Sequence, residues 1–466
     1  MAMSDNSKRR ALMGLALLFF GLVAYYWADY YDKIPWVLSR PAYLQQVSPD
    51  GAIICWRTKT SLGTEGRVHI GESADSLDRV FLAKGVSSVG REGFTEFSVR
   101  ATGLAANTVY HYRYGIVDGP LWGDSRNTFR SAPVRGTGHR FRAWLVGDSG
   151  NGGVEQLQVR DAMIGYTEGG PIDLFIHVGD LAYSRGLDRE FTRRFFRPYR
   201  DVLARVCFWP TPGNHEMKSA DSPSETGAYF EAFRLPTAGE MGGVASGTEA
   251  YYSFDYANVH FISIDSAGSD LARASTMLEW LETDLASTDQ QWVVAFWHHP
   301  PYSRGSHNSD SFGDSYGRMV MMRENIVPTL EAGGADLLLS GHSHDYERSY
   351  PISGVWGYGK APNHKVPSFE QLETDGKILD TGSGDPDGDG PYLDDGGIFI
   401  VLGHGGAKLG GYGLHPVMRY REVEHGSCLL TVDGGTLTVE NLRSDGTISD
   451  RFQVLDGDER TVEAGG

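Results

Sequence analysis

At 466 residues the chain is longer than one ordinary hydrophobic core supports, so two or three domains are expected. Its 40% hydrophobic and 12% aromatic content, with 60 dispersed glycines, excludes a disordered or collagen-like polymer. A net charge of −18 excludes a broad nucleic-acid footprint, which needs clustered Lys and Arg; an anionic ligand must be captured locally, as bound cations would do.

The amino terminus reads as a membrane signal. A cytoplasmic tail, 1–10, ends in Lys8-Arg9-Arg10, and the apolar run that follows makes 11–28 the expected anchor. The run is slightly short of the roughly 20 residues of a full span but longer than a secretory apolar core. Leu22-Val23-Ala24 puts a bulky side chain where a cleavage site needs a small one, so an uncleaved anchor is favoured over a cleaved signal. The positive-inside rule then leaves everything after Asp29 extracytoplasmic, periplasmic or extracellular, with Tyr25, Tyr26, Trp27, Tyr30 and Tyr31 as an interfacial belt. A secreted form would reach the same compartment.

From 41 to 133 short alternating strands, such as 52–58, 67–70, 97–101 and 108–114, are parted by Gly, Asn and Asp clusters at the spacing of a β-sandwich. His69 and His111 fall inside these strand patterns and read as structural. Cys55, Cys207 and Cys428 sit in apolar strand-like runs; three cysteines make no disulfide framework, and they read as small buried hydrophobes. After a Pro/Gly connector at 131–140, strand alternates with helix from 140 to about 455. Apolar runs at 141–146, 174–178, 259–264, 292–297 and 336–340 end abruptly in polar or Gly residues, and 276–285 has helical spacing. This predicts a layered α/β domain with its ligand site at the carboxyl ends of strands. Short β segments return after Gly396, and 456–466 is a polar tail.

Five strand ends carry unusual residues: Gly147-Asp148-Ser149-Gly150, Gly179-Asp180-Leu181-Ala182-Tyr183, Gly213-Asn214-His215-Glu216, Trp297-His298-His299-Pro300 and Gly341-His342-Ser343-His344. Each follows a hydrophobic run, so all are expected at one sheet edge, with Gly allowing the backbone to turn and approach an ion. Carboxylate, amide, imidazole and phenol donors suit iron, zinc or manganese. The set lacks Cys, which excludes a thiolate zinc site, and no phosphate-binding Gly-Lys-Ser/Thr loop occurs. Seven donors exceed what one four-coordinate metal with an open position uses, so two ions sharing a carboxylate are expected.

These motifs, in this order, resemble the purple acid phosphatases of the calcineurin-like metallophosphoesterase superfamily. The stretch 103–114 resembles a fibronectin type III signature, with Leu104 and Tyr110 as core plugs beside Trp56. The resemblance implies an α+β/α/β multidomain chain: an all-β fibronectin III-like sandwich, then a four-layer αββα metallophosphoesterase domain. It implies that Asp148, Asp180, Tyr183 and His344 bind a first metal, and that Asp180 bridges to a second held by Asn214, His298 and His342. Tyr183 implies Fe(III) in the first position; the second ion would be Fe(II), Zn(II) or Mn(II).

The expected activity is hydrolysis of phosphate monoesters by metal-bound hydroxide. His215 is the first choice for proton donor to the leaving group and His307 the second. His299 is expected to line the site, and Glu347 and Arg348 to form a buried pair fixing the Gly341–His344 turn. Asp385, Asp387 and Asp389 mimic a calcium loop, but Gly396 stands where its acidic ligand belongs, so a solvated turn is expected. The competing readings are a phosphodiesterase of the same superfamily and a catalytically silent surface binding protein. Oligomeric state is left open.

Overall fold

A computed structural model describes residues 38–356, 366–381, 392–393, 396–411 and 413–456. The expected tail and anchor, the Asp385–Asp389 turn and residues 457–466 lie outside them. Among the described residues no helix is long and apolar enough to cross a membrane.

The amino-terminal strands form a sandwich. One sheet holds Leu38–Gln45, Gly51–Lys59, Phe94–Thr102 and Val86–Ser87; the other holds Arg79–Lys84, Glu65–Gly71, Val109–Ile116 and Leu121–Trp122, with Thr128–Arg130 also on Val109–Ile116. Alternating side chains make its core: Trp56 is fully buried, stacked on Phe97 at 4.8 Å between ring centroids and tilted against Tyr114 at 5.5 Å. Tyr110 turns towards Phe129, and its hydroxyl accepts the Ala105 N–H at 2.9 Å, tying the strand to the preceding turn.

In the α/β part, Phe141–Val146, Leu174–His177 and Cys207–Pro210 run parallel, and Gly426–Asp433, Thr436–Arg443 and Ile448–Leu455 extend them antiparallel. Leu38–Gln45 then pairs with Cys207–Pro210 through Leu44 and Cys207, so a single eleven-stranded sheet runs from sandwich into α/β part. The second, seven-stranded sheet has the order Tyr252–Tyr256, Val259–Ser263, Trp292–Phe296, Leu337–Ser340, Ile398–Leu402, Tyr346–Ser349 and Met418–Glu422.

Aromatic side chains bond the two sheets face to face: Trp209 stacks on Phe254 at 3.8 Å and Phe141 meets Tyr256 edge-on at 4.8 Å. Near-continuous apolar runs in the parallel strands suit burial on both faces. Helix Val154–Tyr166 packs on Gly426–Asp433 and Thr436–Arg443. On the other side lies Thr276–Ser287, whose N-cap Ser275 accepts the Leu278 N–H and whose Asp284 bonds His260 and Ser253 of the second sheet. Helix, sheet, sheet and helix make the four layers expected.

One expectation is corrected. Glu347 and Arg348 do not pair, because neighbours on a strand point to opposite faces. Arg348 pairs with Asp450 of Ile448–Leu455 at 2.7 and 2.8 Å, whereas Glu347 accepts from Ser303. The three cysteines are buried and free.

Candidate metal centre

The three parallel strands of the first sheet lead into Asp148, Asp180 and Asn214; Trp292–Phe296 and Leu337–Ser340 of the second lead into His298, His342 and His344. Both sheets therefore deliver their carboxyl ends to one place. The turns are tight: Asp148, Asp180 and His342 stand at φ of 54°, 57° and 67°, left-handed values that are strained for residues other than Gly. At Gly213 a Cβ would lie 2.2 Å from Asp180 Oδ1, so no side chain fits there.

Two donor groups result. Tyr183 Oη lies 3.0 Å from Asp148 Oδ1 and 3.2 Å from His344 Nε2, which is 3.5 Å from Asp148 Oδ1. Asn214 Oδ1 lies 2.9 Å from His298 Nε2 and 3.1 Å from His342 Nδ1, and those two nitrogens are 3.2 Å apart. Asp180 sits between the groups, its Oδ1 3.6 Å from His298 Nε2, and ligand atoms of Asp148, Asp180 and His298 lie within 4.8 Å of one another. All seven expected donors come together.

Their chemistry fits cations. His298 Nδ1–H donates to the Val178 carbonyl at 2.9 Å, and His344 Nδ1–H to the Lys408 carbonyl at 3.0 Å. In the neutral rings each Nε2 is therefore a bare lone pair aimed inward. His298 Nε2 then faces Asn214 Oδ1, acceptor against acceptor, an arrangement that a cation between them would relieve. The protein groups alone push the Tyr183 phenol well above its ordinary value, through burial and the Asp148 and Asp180 charges, so a phenolate there requires strong positive charge.

Buried partners hold the donors. Glu216 accepts the N–H groups of Asp180 at 2.8 Å, Gly213 at 2.9 Å and Ala182 at 3.0 Å, tying two ligand turns together. Burial, reinforced by Asp180, pushes its carboxyl up to about 8 against those donors. Ser266 Oγ accepts the backbone N–H of His298 and of His299 at 3.2 and 2.9 Å; the His299 ring, buried 4.5 Å from that of His342, supports the site from beneath. The glycine turn after Ile398–Leu402 is a further support: Gly405 N–H donates to the Gly147 carbonyl, and Ala407 N–H to the Asp148 carbonyl at 2.9 Å. Glu216 lies within the Gly213–Glu216 motif, but its role, like that of the glycine turn, depends on contacts between distant loops.

His215 stands at the rim. Its Nδ1 meets the Ser184 carbonyl at 2.7 Å and its Nε2 is 3.7 Å from Asp180 Oδ2. Burial holds the imidazole below its ordinary value; Asp180 opposes this and the Lys218 ammonium, 3.2 Å from Nδ1, adds to it. His307 lies across the site with its ring stacked on His342 at 3.9 Å and its Nδ1 on Asp314 Oδ1 at 2.8 Å. Both expected rim histidines therefore border the donor cluster.

Residues 141–346 match the calcineurin-like phosphoesterase family. That segment reads as a calcineurin-like phosphoesterase domain, and the chain is similar to purple acid phosphatases. Purple acid phosphatase 15 of Arabidopsis thaliana is 28% identical over 279 residues, covering 54% of this chain and 49% of the relative. A probable inactive purple acid phosphatase 1 of the same plant is 25% identical over 381 residues, covering 75% and 56%. The chain thus spans about half the length of these curated relatives. The structure of purple acid phosphatase PPD1 from yellow lupin, Lupinus luteus, superposes with a TM-score of 0.65 at 19% identity, over 89% of this chain and 74% of that one. The chain shares the fold of that lupin structure over most of its length.

Proposed function

We propose that the protein is a metal-dependent phosphatase that hydrolyses phosphate monoesters at two cations. Asp148, Asp180, Tyr183 and His344 would hold the first, and Asp180, Asn214, His298 and His342 the second. The observation that carries this reading is the pair of donor groups with Asp180 between them and lone pairs facing lone pairs. When bound, such cations neutralise phosphoryl oxygens and lower the pKa of water towards about 7. Tyr183 favours Fe(III) in the first position, with Fe(II), Zn(II) or Mn(II) in the second.

The chain's own groups supply the rest. With Nδ1–H on the Ser184 carbonyl, His215 turns Nε2 towards Asp180; the imidazolium formed on the acid side can give its Nε2 proton to the leaving alkoxide and return to the neutral Nδ1–H ring. His307 faces the same space from the opposite loop. Lys218 adds fixed positive charge at the rim of a chain whose net charge is −18, helping to draw in the substrate dianion. The run at 11–28 would tether the enzyme outside the cytoplasm. One similar plant protein is a probable inactive purple acid phosphatase, which favours a silent binding role as the second reading; the complete donor set weighs against it.

Comparison of p-nitrophenyl phosphate with bis(p-nitrophenyl) phosphate tests the proposal. Faster monoester cleavage is expected; faster diester cleavage, or none of either, would reject it.

A further inference from the structure

The loop at 314–317 has no place in the donor set, yet it is strained. Ser315 and Tyr316 stand at φ of 50° and 56°, followed by Gly317 at 75°. Left-handed backbone costs about 1–2 kcal/mol for each non-Gly residue. Packing of Tyr316 does not offset that cost, since its side chain is 93% exposed. What the bend does is place two polar side chains against the metal centre.

Ser315 Oγ lies 2.6 Å from His342 Nε2 and 2.8 Å from Asp314 Oδ1. Asp314 also meets His307 Nδ1 at 2.8 Å and accepts the Asn308 N–H at 2.9 Å. A carboxylate only accepts, so the Ser315 hydroxyl and His307 Nδ1–H both donate to it. With its one proton committed, Ser315 Oγ must accept from His342 Nε2–H. His342 Nδ1 is then the bare nitrogen, and Nδ1 is the atom that faces Asn214 and His298. In the neutral ring the same carboxylate keeps the His307 proton on Nδ1 and leaves Nε2 as the bare nitrogen. Ligand atoms of His307, Asp314 and His342 also lie within 4.8 Å of one another, but every close contact of Asp314 is already a hydrogen bond.

We infer that Asp314 and Ser315 are positioning residues: one hydrogen-bonded chain sets the ring tautomers of ligand His342 and of rim residue His307. The inference rests on the two-cation reading of the centre. Its test begins with Ser315→Gly in the full chain, because Gly suits the left-handed backbone and removes only the hydroxyl. Thermal unfolding should be unchanged or raised, while Zn(II) affinity, measured by competition with a chromophoric chelator, falls about tenfold or more. Wild-type Zn(II) affinity in this variant, or its loss together with a lowered Tm, would overturn the inference.

At saturating Zn(II), Asp314→Asn should lower kcat for p-nitrophenyl phosphate with KM nearly unchanged. Combined with His307→Ala it should be no slower than His307→Ala alone; losses that multiply would overturn the coupling. The chelator assay needs no turnover. Wild-type protein that takes up two cations but leaves the ester intact rejects the phosphatase proposal, while the Ser315→Gly affinity still decides this one.

Discussion

Asp148, Asp180 and His342 combine a proposed ligand side chain with left-handed backbone, and the neighbouring glycines leave space for it. Strain of this kind persists when the surroundings over-determine it, here through Glu216 and the turn at 403–407. Removal of the shared carboxylate should differ from removal of the rim histidine. Asp180→Ala is expected to lose bound metal, whereas His215→Ala keeps it and turns over about 10²–10⁴-fold more slowly. Equal metal loss by elemental analysis would refute that division. Lys218→Met should raise KM for p-nitrophenyl phosphate severalfold and leave kcat within about twofold; steady-state kinetics showing the whole loss in kcat would place Lys218 elsewhere. The seven donors were legible because unusual residue types, each beside a glycine or an apolar strand end, recur in one order. Asp314, Ser315 and Lys218 were not: no local pattern tells that a bent loop or a single rim cation will meet the centre.

At the scale of elements, each of the five apolar runs is a strand that stops at its polar turn, because length, composition and periodicity agree there. The Glu347–Arg348 expectation failed at this scale, since adjacency in a strand separates side chains across the sheet. Helix Thr276–Ser287 was visible from its spacing, but not its seat: buried His260 joins Asp255 at 2.7 Å to Asp284 of the helix at 2.9 Å. Burial alone would lower the His260 pKa, but the two carboxylates outweigh it and raise the value to about 9 from 6.5. A raised folded pKa stabilises fully below the unfolded value, and the gain is lost as pH climbs through the folded one. The pair should thus contribute on the order of 3 kcal/mol below pH about 6.5 and little above about 9. Denaturant melts of wild type and His260→Gln should differ most at pH 6 and converge by pH 9.5; a gap that does not change with pH would contradict the assignment.

Across the whole molecule, the sandwich and the α/β part are joined more closely than the composition shift at 131–140 suggested. They share one sheet, and Arg40 and Arg57, both buried, reach across to Asp188 at 2.5 and 2.6 Å. These contacts join residues more than a hundred positions apart, so no local pattern could announce them. Asp188→Ala leaves two buried guanidiniums with Glu96 as their remaining ion-pair partner among the described residues and should cost about 3–5 kcal/mol. Calorimetry should record a single transition at lower temperature; two transitions would mean that the halves fold independently.

The candidate centre lies where the carboxyl ends of strands from both face-packed sheets converge, and its occupancy can be counted. Elemental analysis of the purified chain from residue 38 onwards should find two transition-metal ions per molecule, falling to one or none in Asp180→Ala. Wild-type protein that binds no metal, or no more than its Asp180→Ala variant, would contradict the account.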